Sequence, residues 1–258
     1  MPNWVNNFLS IQTKDLDKVV NDKGEVDFNI LVPMPKELDN TIAGGNVDKC
    51  MEYYRFKQAH PHSVKQLEQM KSEIIHNRED KTDKLHIFNE KTHQYDTVYD
   101  TIESVGKFYC ELQEKYGVHD WYEWHCQNWG CKWNASDISI NEPYSIDGVE
   151  FVDIQFSTPW GPPAGWLETL SKEIPFYLAW EEEQGYRGIY YNDLEGNLLE
   201  EDLPELEWKE DEESGEYYQV EDEYGEFWVD YFKEDMLKDN MNFSKEDLEK
   251  EDIEEERA

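Results

Sequence analysis

His119, His125, Cys126 and Cys131 lie within thirteen positions of one another, and their side-chain types are those that ligate a soft metal or act in nucleophilic catalysis. A zinc site needs four such groups converging tetrahedrally. This spacing lacks a C-x-x-C pair, and Cys126 directly follows His125. A Cys–His nucleophile needs an imidazole oriented by a third group, and no recognisable nucleophile elbow supplies one. The expectation is therefore four ordinary buried or partly exposed residues, with no metal, no cofactor and no catalytic residue. A His/Cys metal-dependent enzyme stands as the third-ranked alternative.

Tryptophans crowd the same stretch: Trp121, Trp124, Trp129 and Trp133, with Trp160 further on. Exposed indoles stack bases or sugars, and base stacking is worth roughly 1–3 kcal/mol per base, but such grooves also carry a positive track. Here Lys132 and Arg187 are the cations near these rings in sequence. The competing reading, which the sequence favours, is that the rings fill the interface between helix and sheet, each bringing roughly 150–250 Å² to a core. Asn128, Gly130 and Asn134 are types that bond backbone and shape turns. Gly44-Gly45 lacks the Lys-Ser/Thr of a phosphate loop, and the acid runs lack the spacing of a calcium loop. Carboxylate pairs are too common in this chain to mark a general acid and base.

Charge gives the sharper signal. The 258 residues hold 60 acids and 24 bases, a formal net charge of −36. Residues 181–258 alone carry 31 acids and 7 bases. Such a field repels phosphate, so direct binding to a nucleic-acid backbone is not expected. No apolar run reaches the roughly 18 residues of a membrane span. Met1-Pro2-Asn3-Trp4 lacks the basic and apolar regions of a secretory signal, and four cysteines are too few for a disulfide scaffold, so a reducing bacterial cytosol is expected. An acid run is ordinarily a disordered tail. This one is interleaved with Trp208, Tyr217, Tyr218, Tyr224, Phe227, Trp228, Tyr231 and Phe232, which argues for folded structure to about residue 232.

The elements that must position these residues alternate along the chain. Residues 4–11 and 27–32 read as strands, the second stopped by Pro33-Met34-Pro35. Between them, 15–20 suits one or two helical turns. Residues 62–77 repeat apolar side chains at three- and four-residue steps, and 95–116 does so more strongly, with Gly117 as its stop. The intervening 77–94 reads as a polar surface excursion. Residues 149–156 alternate as a half-buried strand. Pro162-Pro163 lead into a helix over 164–174, and 176–180 opens another strand. Residues 188–191 and 197–199 flank a turn at 193–196, and 217–220 pairs with 226–230 in a second hairpin. Ser244 and Asp247 mark a helix start for 245–257. Strand–helix–strand–strand over 149–193 suits an α+β sandwich of ferredoxin-like type.

Several phrases in fixed order add a family resemblance. They are Pro2-Asn3-Trp4-Val5-Asn6-Asn7-Phe8-Leu9, Val32-Pro33-Met34-Pro35-Lys36-Glu37-Leu38, Asn128-Trp129-Gly130-Cys131-Lys132-Trp133-Asn134-Ala135, and Thr158-Pro159-Trp160-Gly161-Pro162-Pro163. Together they resemble the YubB-like family of phage and plasmid accessory proteins over roughly residues 1–195. The resemblance implies a ferredoxin-like domain from a mobile element and carries over no catalytic residue. Cys131 stands where that pattern commonly has threonine.

These readings give an α+β ferredoxin-like sandwich over 1–195 with a helical insertion at about 60–116. An acidic antiparallel β-hairpin extension follows over 196–235, then an acidic helix or tail over 236–258. The expected role is a non-enzymatic interaction protein that inhibits a basic host partner, a nuclease or defence complex, by charge mimicry. Its contact residues would be Glu205, Glu207, Trp208, Glu210, Asp211, Glu212, Glu213, Glu216, Glu221, Asp222, Glu223, Glu226, Trp228 and Asp230. The second-ranked alternative is a nucleotide or single-stranded nucleic-acid binder using the five tryptophans.

Overall fold

The computed structural model describes residues 3–77, 85–89, 94–99, 101–193, 195–204, 208–210 and 217–219, together with Lys233 and Leu237. In chain order the first elements are β1 (Trp4–Gln12), α1 (Gly45–Ala59), α2 (Val64–Asn77), β2 (Leu85–Asn89), β3 (Gln94–Tyr99), α3 (Ile102–Tyr116) and α4 (Trp121–Asn128). There follow β4 (Ser136–Ile140), β5 (Tyr144–Ile146), β6 (Val149–Pro159), α5 (Ala164–Leu170), β7 (Phe176–Glu182), β8 (Arg187–Asn192), β9 (Leu198–Leu203), β10 (Trp208–Glu210) and β11 (Tyr217–Gln219). Among the described residues, no helix is long and apolar enough to cross a membrane. The chain divides into two compact units, one of Met1–Pro33 with Cys126–Ala258 and one of Met34–His125.

In the first unit β1 is the centre of an antiparallel sheet ordered β4-β6-β1-β7-β8-β9, with β5 also on β6. β6 and β7 both run antiparallel to β1, on its two sides. They are therefore parallel to each other and need a crossover, which α5 supplies; this is the split β-α-β unit of ferredoxin-like folds. Register sorts the side chains by face. Leu9 opposes Ile154 and Leu178, and Ile11 opposes Phe176, on one face. That face is closed by rings: Phe28 lies 4.9 Å from Trp166, 5.6 Å from Trp129 and 6.0 Å from Phe156. On the opposite face Phe151, Tyr177, Ala179, Ile189 and Leu203 form a second cluster, and Leu237, 1% exposed, is buried among them.

Residues 27–32 are not the expected strand. They hold a short 3-10 turn, Phe28–Ile30, because the Asp27 carboxylate accepts from the Asn29 N–H and the Phe28 side chain turns into the core. Asn134 clips this turn from outside: its Oδ1 accepts from the Phe28 N–H (3.0 Å) and its Nδ2 donates to Asp27 (2.8 Å). Burial raises the Asp27 pKa, but the hydrogen bonds from Asn134 and Asn29 outweigh it and hold the group below its ordinary value.

In the second unit α1 packs on α3. Gly106 permits the approach, since a Cβ there would sit 2.0 Å from the Cys50 carbonyl oxygen of α1. α3 starts later than the apolar repeat suggests: 94–99 is strand β3, paired with β2 inside the expected surface excursion. Thr101 then caps α3 reciprocally with Ser104, and Gly117 ends it at φ 78°. The Tyr109 hydroxyl accepts from the Ile42 N–H (2.7 Å).

β11 pairs with β10, Glu210 opposite Tyr217. The expected strand at 226–230 and helix at 245–257 lie outside the described residues.

Candidate functional site

The four His and Cys positions are shared between the units, His119 and His125 in one and Cys126 and Cys131 in the other. His119 is buried in the second unit, with Nε2 3.3 Å from Asp48 and 3.4 Å from Asp120 and Nδ1 3.0 Å from Glu123. These carboxylates bracket the ring at both nitrogens instead of converging on one point. Asp120 is also spent on α4, accepting from the Glu123 N–H at 2.9 Å. Among the described residues no three His, Cys, Asp or Glu side chains are arranged to hold a metal ion. Cys126 is exposed, whereas Cys131 is buried. The Cys131 thiol donates to the Trp133 carbonyl at 3.2 Å, and burial pushes it up to about 12, with Cys126 adding to the rise. Burial and the bond to Trp133 both favour the neutral thiol.

The five tryptophans divide by environment. Trp124 and Trp129 are 7% and 2% exposed, so neither ring has a face open to a ligand. Trp129 closes the core with its Nε1–H donated to the Val32 carbonyl at 2.9 Å. Trp121 is half-buried, edge-on to His125 at 5.4 Å. Trp133 and Trp160 open to solvent at 40% and 49%. Lys132 lies between them, its Nζ 4.4 Å from the Trp133 ring centroid and 5.0 Å from that of Trp160. Trp4 adjoins at 6.3 Å from Trp133.

Local sequence fixes this platform. Gly130, at φ 85°, runs so close to the start of α5 that a Cβ would meet the Ala164 nitrogen at 2.9 Å. Trp160 holds φ 70°, a region that bulky residues rarely occupy. Its N–H donates to the Asn3 carbonyl at 2.8 Å. Thr158, accepting from Asn7 Nδ2 (2.9 Å), donates to the Gly161 carbonyl (2.8 Å) and so ties the turn to β1.

The predicted acidic contact set lies mostly outside the described residues: Glu205, Glu207, Asp211, Glu212, Glu213, Glu216, Glu221, Asp222, Glu223, Glu226, Trp228 and Asp230. Trp208 and Glu210 fall in β10. The described edge strand β9 adds Glu200, Glu201 and Asp202, all exposed. The Tyr190 hydroxyl donates to Glu200 and that of Tyr191 to Glu201, the latter at 2.7 Å. Burial, then these carboxylates, raise both phenols, Tyr191 to about 12.

Sequence reasoning missed the two residues that return the acidic segment to the sheet. Lys233 Nζ donates to Asp153 of β6 at 3.0 Å and sits 5.0 Å over the Tyr144 ring. Asp153 also accepts from Ser10 (2.5 Å) and Tyr144 (2.9 Å). Leu237 follows four residues later in the second-face cluster. The one available signal was that spacing, a Lys and a Leu at i and i+4 inside an acidic run.

Residues 128–222 match a family model described as the ferredoxin-like domain in Api92-like protein. Among solved structures, protein Api92 from Yersinia pseudotuberculosis aligns with 79% of this chain and 99% of its own, at 11% identity and a TM-score of 0.33. No curated protein matches the chain. The family match supports the ferredoxin-like α+β domain and gives no support to the YubB-like, phage or plasmid assignment suggested by the sequence phrases.

Proposed function

We propose that this chain is a non-enzymatic interaction protein whose acidic segment occupies the basic cleft of a nucleic-acid-binding partner, such as a nuclease or defence complex, in place of the nucleic acid. The observation that carries this reading is where that segment is tied. Residues 205–232 hold 12 acids and one base, Lys209. The chain leaves the sheet at Pro204, whose carbonyl accepts from Arg187 Nε at 2.9 Å. It is held again at Lys233 and Leu237. A stretch closed at both ends samples far fewer arrangements than a tail of equal length. In this reading its carboxylates compete as negative charge held between two anchored points. Duplex DNA presents one charge per roughly 1.7 Å of axis, and a protein surface of similar sign competes for the same lysines and arginines with the help of long-range steering.

In this reading the acidic extension over 196–235 is the partner-facing part, the ferredoxin-like domain is its scaffold, and the protein acts in the bacterial cytosol. The YubB-like resemblance, with the mobile-element origin it implies, favours a host target.

The test is competition. A partner captured from bacterial lysate at 0.1 M salt should elute at 1 M, because the Debye length falls from about 10 Å to about 3 Å. The captured protein, loaded with a labelled duplex, should release it on titration with the chain. A variant with the 12 acids of 205–232 changed to Asn and Gln should not displace the duplex. Displacement by that variant at wild-type concentrations overturns the proposal.

A further inference from the structure

Trp133 and Trp160 present two solvent-open indoles on backbone that is held in place. The Cys131 thiol pins the Trp133 carbonyl, and the Asn3 carbonyl pins the Trp160 N–H. The left-handed backbone at Trp160 is a conformation that persists only where its surroundings enforce it. What lies between the rings states their preference. Lys132 Nζ is within cation–π range of both, at 4.4 and 5.0 Å. An indole face is the negative end of a quadrupole, and a protein of net charge −36 adds a field of the same sign. Both select a cation from solution and reject a phosphate.

We infer that the Trp4–Trp133–Trp160 face is a docking site for arginine side chains of a basic partner, with Lys132 marking the cation position between the rings. The inference rests on the basic-partner reading above and deepens it. The acids supply long-range attraction that salt screens, while the indoles supply short-range anchors on which guanidinium planes stack. Arginine suits the site better than lysine, because a planar, weakly hydrated guanidinium stacks on an aromatic face as an ammonium cannot. Tryptophan and arginine are also the side chains most enriched at energetic centres of protein interfaces. A planar anion such as a nucleotide would bring its phosphate into the chain's own negative field and would find one ammonium, already engaged with both rings.

The test uses the full-length chain and fluorescein-labelled hexa-arginine at 0.15 M salt, read by anisotropy. Each exposed cation–π contact is worth roughly a factor of two to five in affinity, so W133A with W160A should weaken binding about tenfold. Both side chains are exposed, and an unchanged far-UV spectrum verifies folding of the double variant. Hexalysine should lose less than hexa-arginine in the same variant. Lys132→Met should bind hexa-arginine as tightly as wild type or several-fold tighter, since its ammonium competes for the rings. Unchanged hexa-arginine affinity in the double variant overturns the inference, as does weaker binding by Lys132→Met. Quenching of these indoles by adenosine monophosphate that Lys132→Met abolishes would make the site an anion site and overturn it equally. Failure here is separable from failure of the charge reading: neutralising the acids of 205–232 would still weaken hexa-arginine while the tryptophan variants would not.

Discussion

Replacing Leu237 with alanine tests the contact that holds the chain to the sheet beyond its acid-rich stretch. Closing the 28-residue stretch between Pro204 and Lys233 costs at most about 3 kcal/mol by the logarithmic loop-length rule, plus a constant, since the β10–β11 pairing already closes part of it. Two anchors oppose that cost. Leu237 is 1% exposed among Phe151, Tyr177, Ala179, Ile189 and Leu203, and full burial of a leucine is worth roughly 1.5–3 kcal/mol. The Lys233–Asp153 contact, partly shielded at 15% and 29% side-chain exposure, adds about 1.5–3 kcal/mol as a hydrogen bond between charged groups. Together the anchors exceed the closure cost by at most a few kcal/mol, and neither alone exceeds it clearly. Leu237→Ala removes most of one anchor and leaves a cavity whose lining tyrosines and leucine relax only in part, a class of change that costs roughly 2–5 kcal/mol. The segment should then open. A Glu-specific protease should cut within 205–232 at least tenfold faster in Leu237→Ala than in wild type, while Leu237→Met, which keeps volume, should cut at the wild-type rate. Equal cleavage rates in wild type and Leu237→Ala, with an unchanged denaturation midpoint, would refute the argument that Leu237 holds this segment.

Three further outcomes follow from the same geometry. Gly106→Ala ordinarily gains about 1 kcal/mol of helix propensity, yet its Cβ would sit 2.0 Å from the Cys50 carbonyl oxygen, so urea denaturation should show a net loss of about 1–3 kcal/mol; a stabilised variant contradicts the close α1–α3 crossing. Tyr144 is pushed up to about 12 by burial and then by Asp153. Its neutral form is thus favoured in the folded state, so its contribution is full below pH 10 and is lost between about pH 10 and 12; allowing for solvent screening at this partly exposed ring, it amounts to about 1–2 kcal/mol, and Tyr144→Phe should lack that part of the alkaline fall in stability. Of the four thiols only Cys126 is exposed, and burial raises both Cys110 and Cys131, so a disulfide reagent at pH 8 should titrate one thiol rapidly; two or more fast thiols would contradict the buried placement of Cys131.

The ferredoxin-like core was legible because its signals are local. Alternation marks β6, two prolines open α5, and the Asp193-Leu194-Glu195-Gly196 turn separates β8 from β9. Where the sequence misled, a side chain outside the window decided the outcome. The apolar run at 27–32 reads as a strand until Asn134, more than a hundred residues away, donates to Asp27 and accepts from Phe28. α1 buries Val47, Cys50 and Met51, a stripe at helical spacing but too short, among polar neighbours and just after Gly44-Gly45, to stand out in hydrophobic periodicity. The apolar repeat at 95–116 likewise concealed β3, since Val98 and Ile102 continue the three- and four-residue steps of the helix that follows, and only Thr101 and Ser104 set the start of α3.

The candidate site divides in the same way. Composition alone located the indoles, because ten tryptophans in 258 residues concentrate the choice, but it could not say which rings face water. That depends on partners far along the chain: Trp129 is drawn inward by Phe28 and the Val32 carbonyl, while Trp160 is turned outward by a hydrogen bond to Asn3. The acid-rich segment poses the sharper case. By net charge alone it would be a tail, and its interleaved aromatic residues are what argue for folded structure to about residue 232. At its end Lys233 and Leu237 meet the sheet through an ion pair and a buried side chain. A charge count cannot detect such contacts, because two residues barely change the composition of an acid-rich run.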